Sequence, residues 1–424
     1  MNVTRDVYRN VPRITPAALA LAQYIRPGDV VVCGQSSAQP LTLTEALVAQ
    51  QPSIGPLTAF IGLTFTDTFD PSASPGLRYL SFGVLGTQVK LSRAGRLEVV
   101  PCHYSELPRR FDNKCLRADV VLLSCSPPGP DGVVSLGTSH DYVVHAARQA
   151  RVVILEENEH MPPTIGAPLP TDLPVAAIVT SKRALPLVRS SQGDAADHAI
   201  AQHVAGLVPE GATLQIGVGS TPDAVIAALA GHRRLGMHSG LLTEAAFPLI
   251  ESGAIDNSAK TFDTGVSVAG MLAGSERFYE WARMNRAIEI APTWRTHGLE
   301  VTSKLHRFVS INTGIEVDLA GRVNAEIAGH DYVGGTGGLV DFVRAAAVSI
   351  GGRSIIAIKS TVRGETISRV VARCQGSVTV AASDVDTVVT EWGIAELRGQ
   401  PLAERAKRIA AIAHPKFRDG LLAG

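Results

Sequence analysis

Two side-chain-poor stretches in the later part of the sequence carry residue types suited to acyl or phosphoryl chemistry. In Thr213-Leu-Gln-Ile-Gly-Val-Gly-Ser-Thr-Pro-Asp-Ala-Val-Ile an apolar run breaks at Gly217, Gly219 and Ser220, and a helical pattern is expected to open at Pro222, with Val225, Ile226 and Leu229 behind it. In Gly334-Gly-Thr-Gly-Gly-Leu-Val-Asp-Phe a second loop with almost no side chains feeds another helix. Backbone N–H groups in such turns approach an oxyanion or phosphate unhindered, and the helix N-terminus that follows adds partial positive charge. Two such loops in one domain point to a shared ligand site. Between them, Gly236-Met-His-Ser-Gly-Leu-Leu-Thr-Glu adds His238 and Glu244 as titratable groups. The spacing is not G-x-G-x-x-G, and glycines commonly follow strands, so the pattern alone stays general.

The elements that would hold these loops occur twice along the chain. Ala17-Ala-Leu-Ala-Leu-Ala-Gln-Tyr-Ile-Arg-Pro-Gly-Asp-Val-Val-Val-Cys-Gly reads as helix, Pro/Gly break and apolar strand ending in glycine. Ala199-Ile-Ala-Gln-His-Val-Ala-Gly-Leu-Val-Pro-Glu-Gly-Ala-Thr-Leu-Gln-Ile-Gly repeats that order. Gly137-Thr-Ser-His-Asp-Tyr-Val-Val-His-Ala-Ala echoes Gly337-Gly-Leu-Val-Asp-Phe-Val-Arg-Ala-Ala-Ala, and Val175-Ala-Ala-Ile-Val-Thr echoes Asp386-Thr-Val-Val-Thr. Three parallels in sequence suggest a duplicated domain. Apolar strands alternate with helical patterns in each half, which predicts an α/β fold of open, mostly parallel sheets flanked by helices. The polar connection Arg189-Ser-Ser-Gln-Gly-Asp sets the expected domains at 1–188 and 189–424. Ligands of such sheets bind at the carboxyl ends of strands.

Composition narrows the partners. The 424 residues are 45% apolar, and 39 basic side chains balance 39 acidic ones, so neither a nucleic-acid nor a membrane-surface role is indicated. No apolar run approaches the roughly 20 residues of a membrane span, and the first residues lack a signal peptide's apolar core. A cytoplasmic protein is expected. Five cysteines without a C-x-x-C imply reduced, mostly buried thiols rather than disulfides or zinc.

Several suggestive groups have simpler readings. Glu316 and Asp318 alternate on a strand pattern and face one side, which favours a hydrogen-bonded structural pair over an acid site. Glu156-Glu-Asn-Glu-His160 lacks a second ligand group at useful spacing, so no metal is expected, only a polar loop after a Val152–Leu155 strand. His140, Asp141 and His414 read as structural. Glu391, at a strand end, either reaches a cleft or caps a turn. A Ser–His–Asp hydrolase is excluded by the absence of G-x-S-x-G.

Longer stretches carry a resemblance. Gly217-Val-Gly-Ser-Thr-Pro-Asp-Ala-Val, Ser310-Ile-Asn-Thr-Gly-Ile-Glu-Val-Asp-Leu-Ala-Gly, Gly335-Thr-Gly-Gly-Leu-Val-Asp-Phe-Val-Arg-Ala-Ala and Val389-Thr-Glu-Trp-Gly-Ile-Ala-Glu-Leu resemble the acetyl-CoA hydrolase/transferase family, which includes 4-hydroxybutyrate and acetate CoA-transferases. The likeness extends through Val121-Leu-Leu-Ser-Cys-Ser-Pro-Pro-Gly-Pro-Asp-Gly and Ile412-Ala-His-Pro-Lys-Phe-Arg, and so spans nearly the whole chain. It implies two CoA-transferase-type domains with the active site between them and a homodimeric assembly. It also implies a coenzyme A thioester as substrate, no permanently bound cofactor, and a small carboxylate or water as acceptor. In such enzymes a glutamate attacks the thioester, passes through an acyl anhydride and becomes a glutamyl-CoA thioester. By resemblance the backbone near Thr221 and at Gly337 holds the developing oxyanion, Asn312 is an active-site polar residue, and Gly217, Gly219, Gly335 and Gly338 line the CoA site.

The chain departs from that pattern at its centre. The family glutamate ends a Gly-x-His-Thr-Glu-like run, whereas Gly236-Met-His-Ser-Gly puts glycine at position 240. The missing side chain is expected to leave room for water or a larger substrate group. Three accounts stay open. Glu244 could substitute, being one helical turn further on if a helix has begun. Water could attack with Glu244 or His238 as base. Or the chain could bind acyl-CoA without turnover, or pass the acyl group to an acceptor other than a carboxylate. Two further departures are Ala291-Pro-Thr-Trp-Arg-Thr-His-Gly, where relatives often carry a Tyr-x-Asn-Asp-Pro-like segment, and Gly265-Val266, where they often have Gly-Lys. Together with Gly240 they suggest an altered acyl pocket.

Overall fold

Apolar runs such as Val30-Val-Val-Cys and Val120-Val-Leu-Leu can be buried on both faces only as interior strands of a parallel sheet. That is where the structure, a computed structural model describing residues 7–422, places them. The chain divides into two compact units, Met1–Val188 with Ala269–Trp294, and Arg189–Val268 with Arg295–Gly424. The first therefore takes in a later excursion that a simple division at residue 189 does not contain. Residues of that excursion hydrogen-bond within the first unit, through Leu272 N–H to Thr138 O (2.9 Å) and Ser37 Oγ to Leu272 O (2.6 Å).

The sheet of the first unit runs Arg13–Ile14, Val175–Ser181, Val152–Asn158, Val120–Cys125, Val30–Cys33, Leu57–Phe60, Leu77–Ser81, Leu97–Val99, with every pairing parallel. In the second unit Gly236–Thr243, Thr213–Ile216, Phe308–Asn312, Arg353–Ala357 and Thr387–Thr390 pair in parallel, and Gly393–Glu396 closes the edge as an antiparallel hairpin. Five strands correspond between the units and share one spatial order, second, first, third, fourth, fifth in the chain. The duplication read from the sequence is thus visible as topology. This order has a switch point between its first and third strands, the crevice where open α/β sheets bind ligands. In the second unit that crevice lies between the ends of Thr213–Ile216 and Phe308–Asn312, which Gly217 and Asn312 mark.

Helices follow their caps. The helix Ala195–Ala205 starts at a capping box in which Asp194 and Asp197 accept each other's backbone N–H. The helix after the first glycine loop begins at Ser220, two residues before the expected Pro222, because Gly219, at φ +130°, turns the chain in a conformation closed to other residues. The helix expected from Ala17 is two 3₁₀ turns, Pro16–Ala18 and Leu21–Gln23. The Gln50 amide accounts for the break, accepting from Leu21 N–H (2.8 Å) and donating to Leu19 O (2.9 Å) in competition with helical bonds.

Glu316 and Asp318 are held in hydrogen bonds, as expected for structural carboxylates. Asp318, fully buried, accepts from Arg322 Nε at 2.6 Å, and Glu316 accepts from the Asn324 amide and the Gln375 and Gly376 N–H groups. Glu156 is not in a loop as expected. It is a buried residue of the strand Val152–Asn158, and its carboxylate accepts from Thr42 N–H and Oγ1, Leu43 N–H and Ser181 Oγ, capping the helix Leu41–Ile54. Among the described residues no helix is long and apolar enough to cross a membrane, and no His, Cys, Asp and Glu cluster suits a metal ion.

Candidate active site

The carboxyl ends of the second unit's strands bring the glycine loops together with a residue the sequence reading did not single out. A Cβ built on Gly240 would lie 2.6 Å from both Cε1 and Nε2 of His297, and one built on Gly338 would lie 2.6 Å from Cδ2 and Nε2 of the same ring. Real Cβ atoms do not approach so closely, so the imidazole sits where it does because both neighbours are glycine. The space beside Gly240 is therefore not the open room expected from the missing glutamate; the His297 ring fills it. Of the remaining neighbours of that Cβ position, Phe342 Cε2 at 3.7 Å is an ordinary contact.

His297 is held on all sides. Its Nδ1 is 2.8 Å from Thr296 Oγ1, and its ring centroid is 4.6 Å from that of Phe342. It is 4% exposed, and burial followed by the nearby His238 pushes its pKa from 6.5 down to about 3. His238 lies two residues before Gly240 on the same strand face. Its Nε2 donates to Arg295 O (3.1 Å), which ties down the turn carrying His297. Fully buried, with Lys260 as the next cause, His238 is also lowered to about 3. An imidazole so hard to protonate is a weak proton acceptor at neutral pH, which argues against His238 as general base.

The three departures noted in the sequence meet here. Gly240 and His297 pack against each other. Arg295 pairs with Asp263 at 2.8 Å, and Lys260 Nζ donates to Val266 O (2.7 Å) and Met237 O (3.2 Å). The only signal in the sequence was the unusual Ala291–Gly298 segment itself.

Glu244 is not one helical turn beyond Gly240, because no helix begins between them. The strand continues from Gly236 to Thr243, and Glu244 opens a 3₁₀ turn. At about 3.3 Å per strand residue, its Cα is about 13 Å from that of Gly240, not one helical turn away.

At the switch point, Gly217 N–H donates to Ile311 O (2.9 Å), and its Cβ position is 3.6 Å from Asn312 Oδ1. The Asn312 amide exchanges two hydrogen bonds with Gln215, at 2.9 and 3.1 Å, and keeps one N–H for another acceptor. Thr221 turns its hydroxyl to Asp197, which also meets Lys359 Nζ at 2.9 Å. Burial works against the Asp197 anion, but the Thr221 and Lys359 contacts outweigh it and hold its pKa below the usual carboxylate range. In the second loop Gly335 N–H is committed to Ala325 O (3.2 Å), while Gly337, at φ +47°, has open space around its Cβ position. The helices Ser220–Ala228 and Leu339–Val348 both begin at glycine without a side-chain cap, leaving donors of the first turn for a ligand. Further along the same edge, a cavity of about 580 Å³ is lined by Lys359, Arg363, Trp392 and His414. Glu391 borders it, but its carboxylate accepts from Ser360 N–H and Oγ, so it serves as a cap.

Known proteins are similar to this chain over most of its length. The sequence models of the N-terminal and C-terminal domains of acetyl-CoA hydrolase/transferase match residues 5–176 and 274–424. The chain is 34% identical over 396 residues to 4-hydroxybutyrate coenzyme A transferase of Clostridium kluyveri, covering 92% of each. It is 32% identical over 423 residues to the succinyl-CoA:cyclohexane-1-carboxylate CoA transferase of Geobacter metallireducens, covering 99% of this chain and 97% of that one. Among solved structures, RipA from Yersinia pestis superposes with a TM-score of 0.91 at 32% identity, covering 99% of this chain and 98% of that one. Two doubly wound sheets of one strand order, glycine loops at the switch point and likeness from end to end place this chain in the acetyl-CoA hydrolase/transferase family.

Proposed function

We propose that this protein acts on a small acyl-CoA thioester, exchanging its CoA onto a small carboxylate or hydrolysing it with water, without a glutamate nucleophile. The observation that carries this reading is the meeting of Gly240, His297 and the Gly334–Gly338 loop at the carboxyl ends of the strands. It keeps a donor-rich site but removes the group that would form a covalent intermediate. Acceptor and thioester then react directly, brought to contact by binding. Backbone N–H groups near Thr221 and at Gly337 stabilise the oxyanion, Asn312 offers its spare amide proton, and Gly217, Gly219 and Gly338 shape the CoA site. Arg363 and Trp392 offer a cation and an aromatic face suited to the nucleotide end of CoA. The reading includes a homodimer, the commonest soluble assembly, in the cytoplasm.

Incubation with acetyl-, propionyl- and butyryl-CoA, with and without acetate, while free thiol and acyl exchange are followed, tests this directly. Thiol release without acetate marks a hydrolase. Acetate-dependent exchange marks a transferase, and its initial rates should intersect in the manner of a ternary complex rather than run parallel as for a covalent one. Gly240 also favours a second reading, an acyl-CoA binder without turnover; tight CoA binding with no reaction on any thioester would select it.

A further inference from the structure

The first glycine loop cannot hold its own donors in place. Gly217 and Gly219 bracket it, and Gly219, at φ +130°, stands in a region of backbone space that only glycine enters readily. One end of the loop is fixed by Gly217 N–H donating to Ile311 O (2.9 Å). At the other, Pro222 has no N–H and Asp223 N–H is committed to Gly219 O (3.0 Å), so the first-turn donors left for a ligand are those of Ser220 and Thr221. Their direction depends on what anchors the turn from behind. The anchor is Asp197, 1% exposed, in the helix Ala195–Ala205. One of its carboxylate oxygens accepts from Thr221 Oγ1, and the other accepts from Asp194 N–H (3.0 Å) and meets Lys359 Nζ (2.9 Å). The carboxylate is itself held. A Cβ built on Gly193 would lie 3.0 Å from Asp197 Cβ, so the preceding turn closes on it, and Lys359 is tied to Asp194 as well (2.8 Å). Asp197 thus grips a residue that carries one of the donors left for a ligand.

We propose that Asp197 is a positioning residue for the acyl-CoA reaction: by holding the Thr221 hydroxyl it fixes the first turn of the helix Ser220–Ala228 and so aims the Ser220 and Thr221 N–H groups at the thioester oxyanion. This rests on the acyl-CoA reading above. Asp197 acts through Thr221 and exchanges no proton with substrate. Displacing a reacting or stabilising group by about 1 Å lowers a rate by about 100-fold, so donors carried on a glycine turn need rigid support behind them. Lys359 completes that support. Its ammonium lies between the Asp194 and Asp197 carboxylates, which would otherwise repel each other across the start of the helix. The second tie to the same turn, Ser191 N–H to Asp223 Oδ2 (2.8 Å), holds the residue after Pro222 and leaves Thr221 to Asp197 alone.

The test compares wild type with Thr221→Val, which keeps the shape and loses the hydroxyl, Thr221→Ser, which keeps the hydroxyl, Asp197→Ala, and the double variant Asp197→Ala with Thr221→Val. Measured per folded enzyme, kcat is expected to fall at least about tenfold in Thr221→Val and in Asp197→Ala, with KM for acyl-CoA within about threefold of wild type. Thr221→Ser should keep kcat within about threefold, and the double variant should lose no more than Asp197→Ala alone, because both changes break one connection. Wild-type kcat in folded Thr221→Val, losses that multiply in the double variant, or a loss confined to KM would overturn the proposal. Should Asp197→Ala fail to fold, the valine and serine variants decide. Amide hydrogen exchange reads the same connection without turnover: the peptide Gly217–Ala224 should exchange at least about tenfold faster in Thr221→Val, with the strand Phe308–Asn312 unchanged. Equal exchange in that peptide would also overturn the proposal. Wild type that turns over no acyl-CoA would instead remove the functional reading on which the proposal rests, whatever the exchange shows.

Discussion

Glutamate introduced at position 240 with His297 retained should destabilise the second unit and give little acetate-dependent exchange. The new Cβ would meet the imidazole at 2.6 Å, and the ring cannot withdraw, because Gly338 and Phe342 stand behind it. Overpacking of this kind costs about 1–3 kcal/mol, and a carboxylate forced into the same buried pocket adds to it. The obstacle is the ring alone, since Gly240 lies on a regular strand and the next contact is 3.7 Å away. Replacing both residues, G240E with H297A, should therefore recover folding and raise acetate-dependent exchange at least tenfold over G240E alone. Initial-rate patterns should then change from intersecting to parallel as a covalent intermediate becomes possible. Exchange by G240E alone as fast as by the double variant would show that the two positions are not coupled.

The second large effect is loss of stability in mild acid. His238 and His297 are buried and neutral, with folded pKa values of about 3 against 6.5 when unfolded. Between those values the unfolded chain binds protons that the folded chain refuses, so stability is fully present above pH 6.5 and falls as pH drops toward 3. At pH 5 the loss is roughly 2 kcal/mol for each, a large share of the stability of an ordinary domain. His140 in the first unit, lowered to about 4 mainly by burial, adds to the trend. Denaturant midpoints at pH 7.5, 6 and 5 measure this, and His297→Gln should remove its share of the slope. A midpoint unchanged from pH 7.5 to 5 would mean that these rings are not buried as described.

Much of this was legible in the sequence, for physical reasons. Apolar runs such as Val30–Cys33 and Thr213–Ile216 admit few roles other than interior parallel strands, and the repeated helix, break and strand announced two units of one topology. Glycines after those strands marked the switch-point loops. What stayed hidden depends on contacts between distant residues. The Ala17–Gln23 helical pattern is interrupted by the Gln50 amide, 31 residues from Leu19 in the chain. Glu244 looked close to Gly240 only if a helix began between them, and local propensity does not decide that. The filling of the Gly240 pocket by His297 joins positions on separate elements, and no spacing rule connects them.

The most direct test of the account is a crystal structure with a non-hydrolysable acyl-CoA thioester analogue bound, read for the surroundings of the carbonyl group. The account predicts that its oxygen lies about 3 Å from a backbone N–H of the Gly337 and Gly338 loop, a hydrogen-bonding distance. A carbonyl bound away from that loop would contradict it.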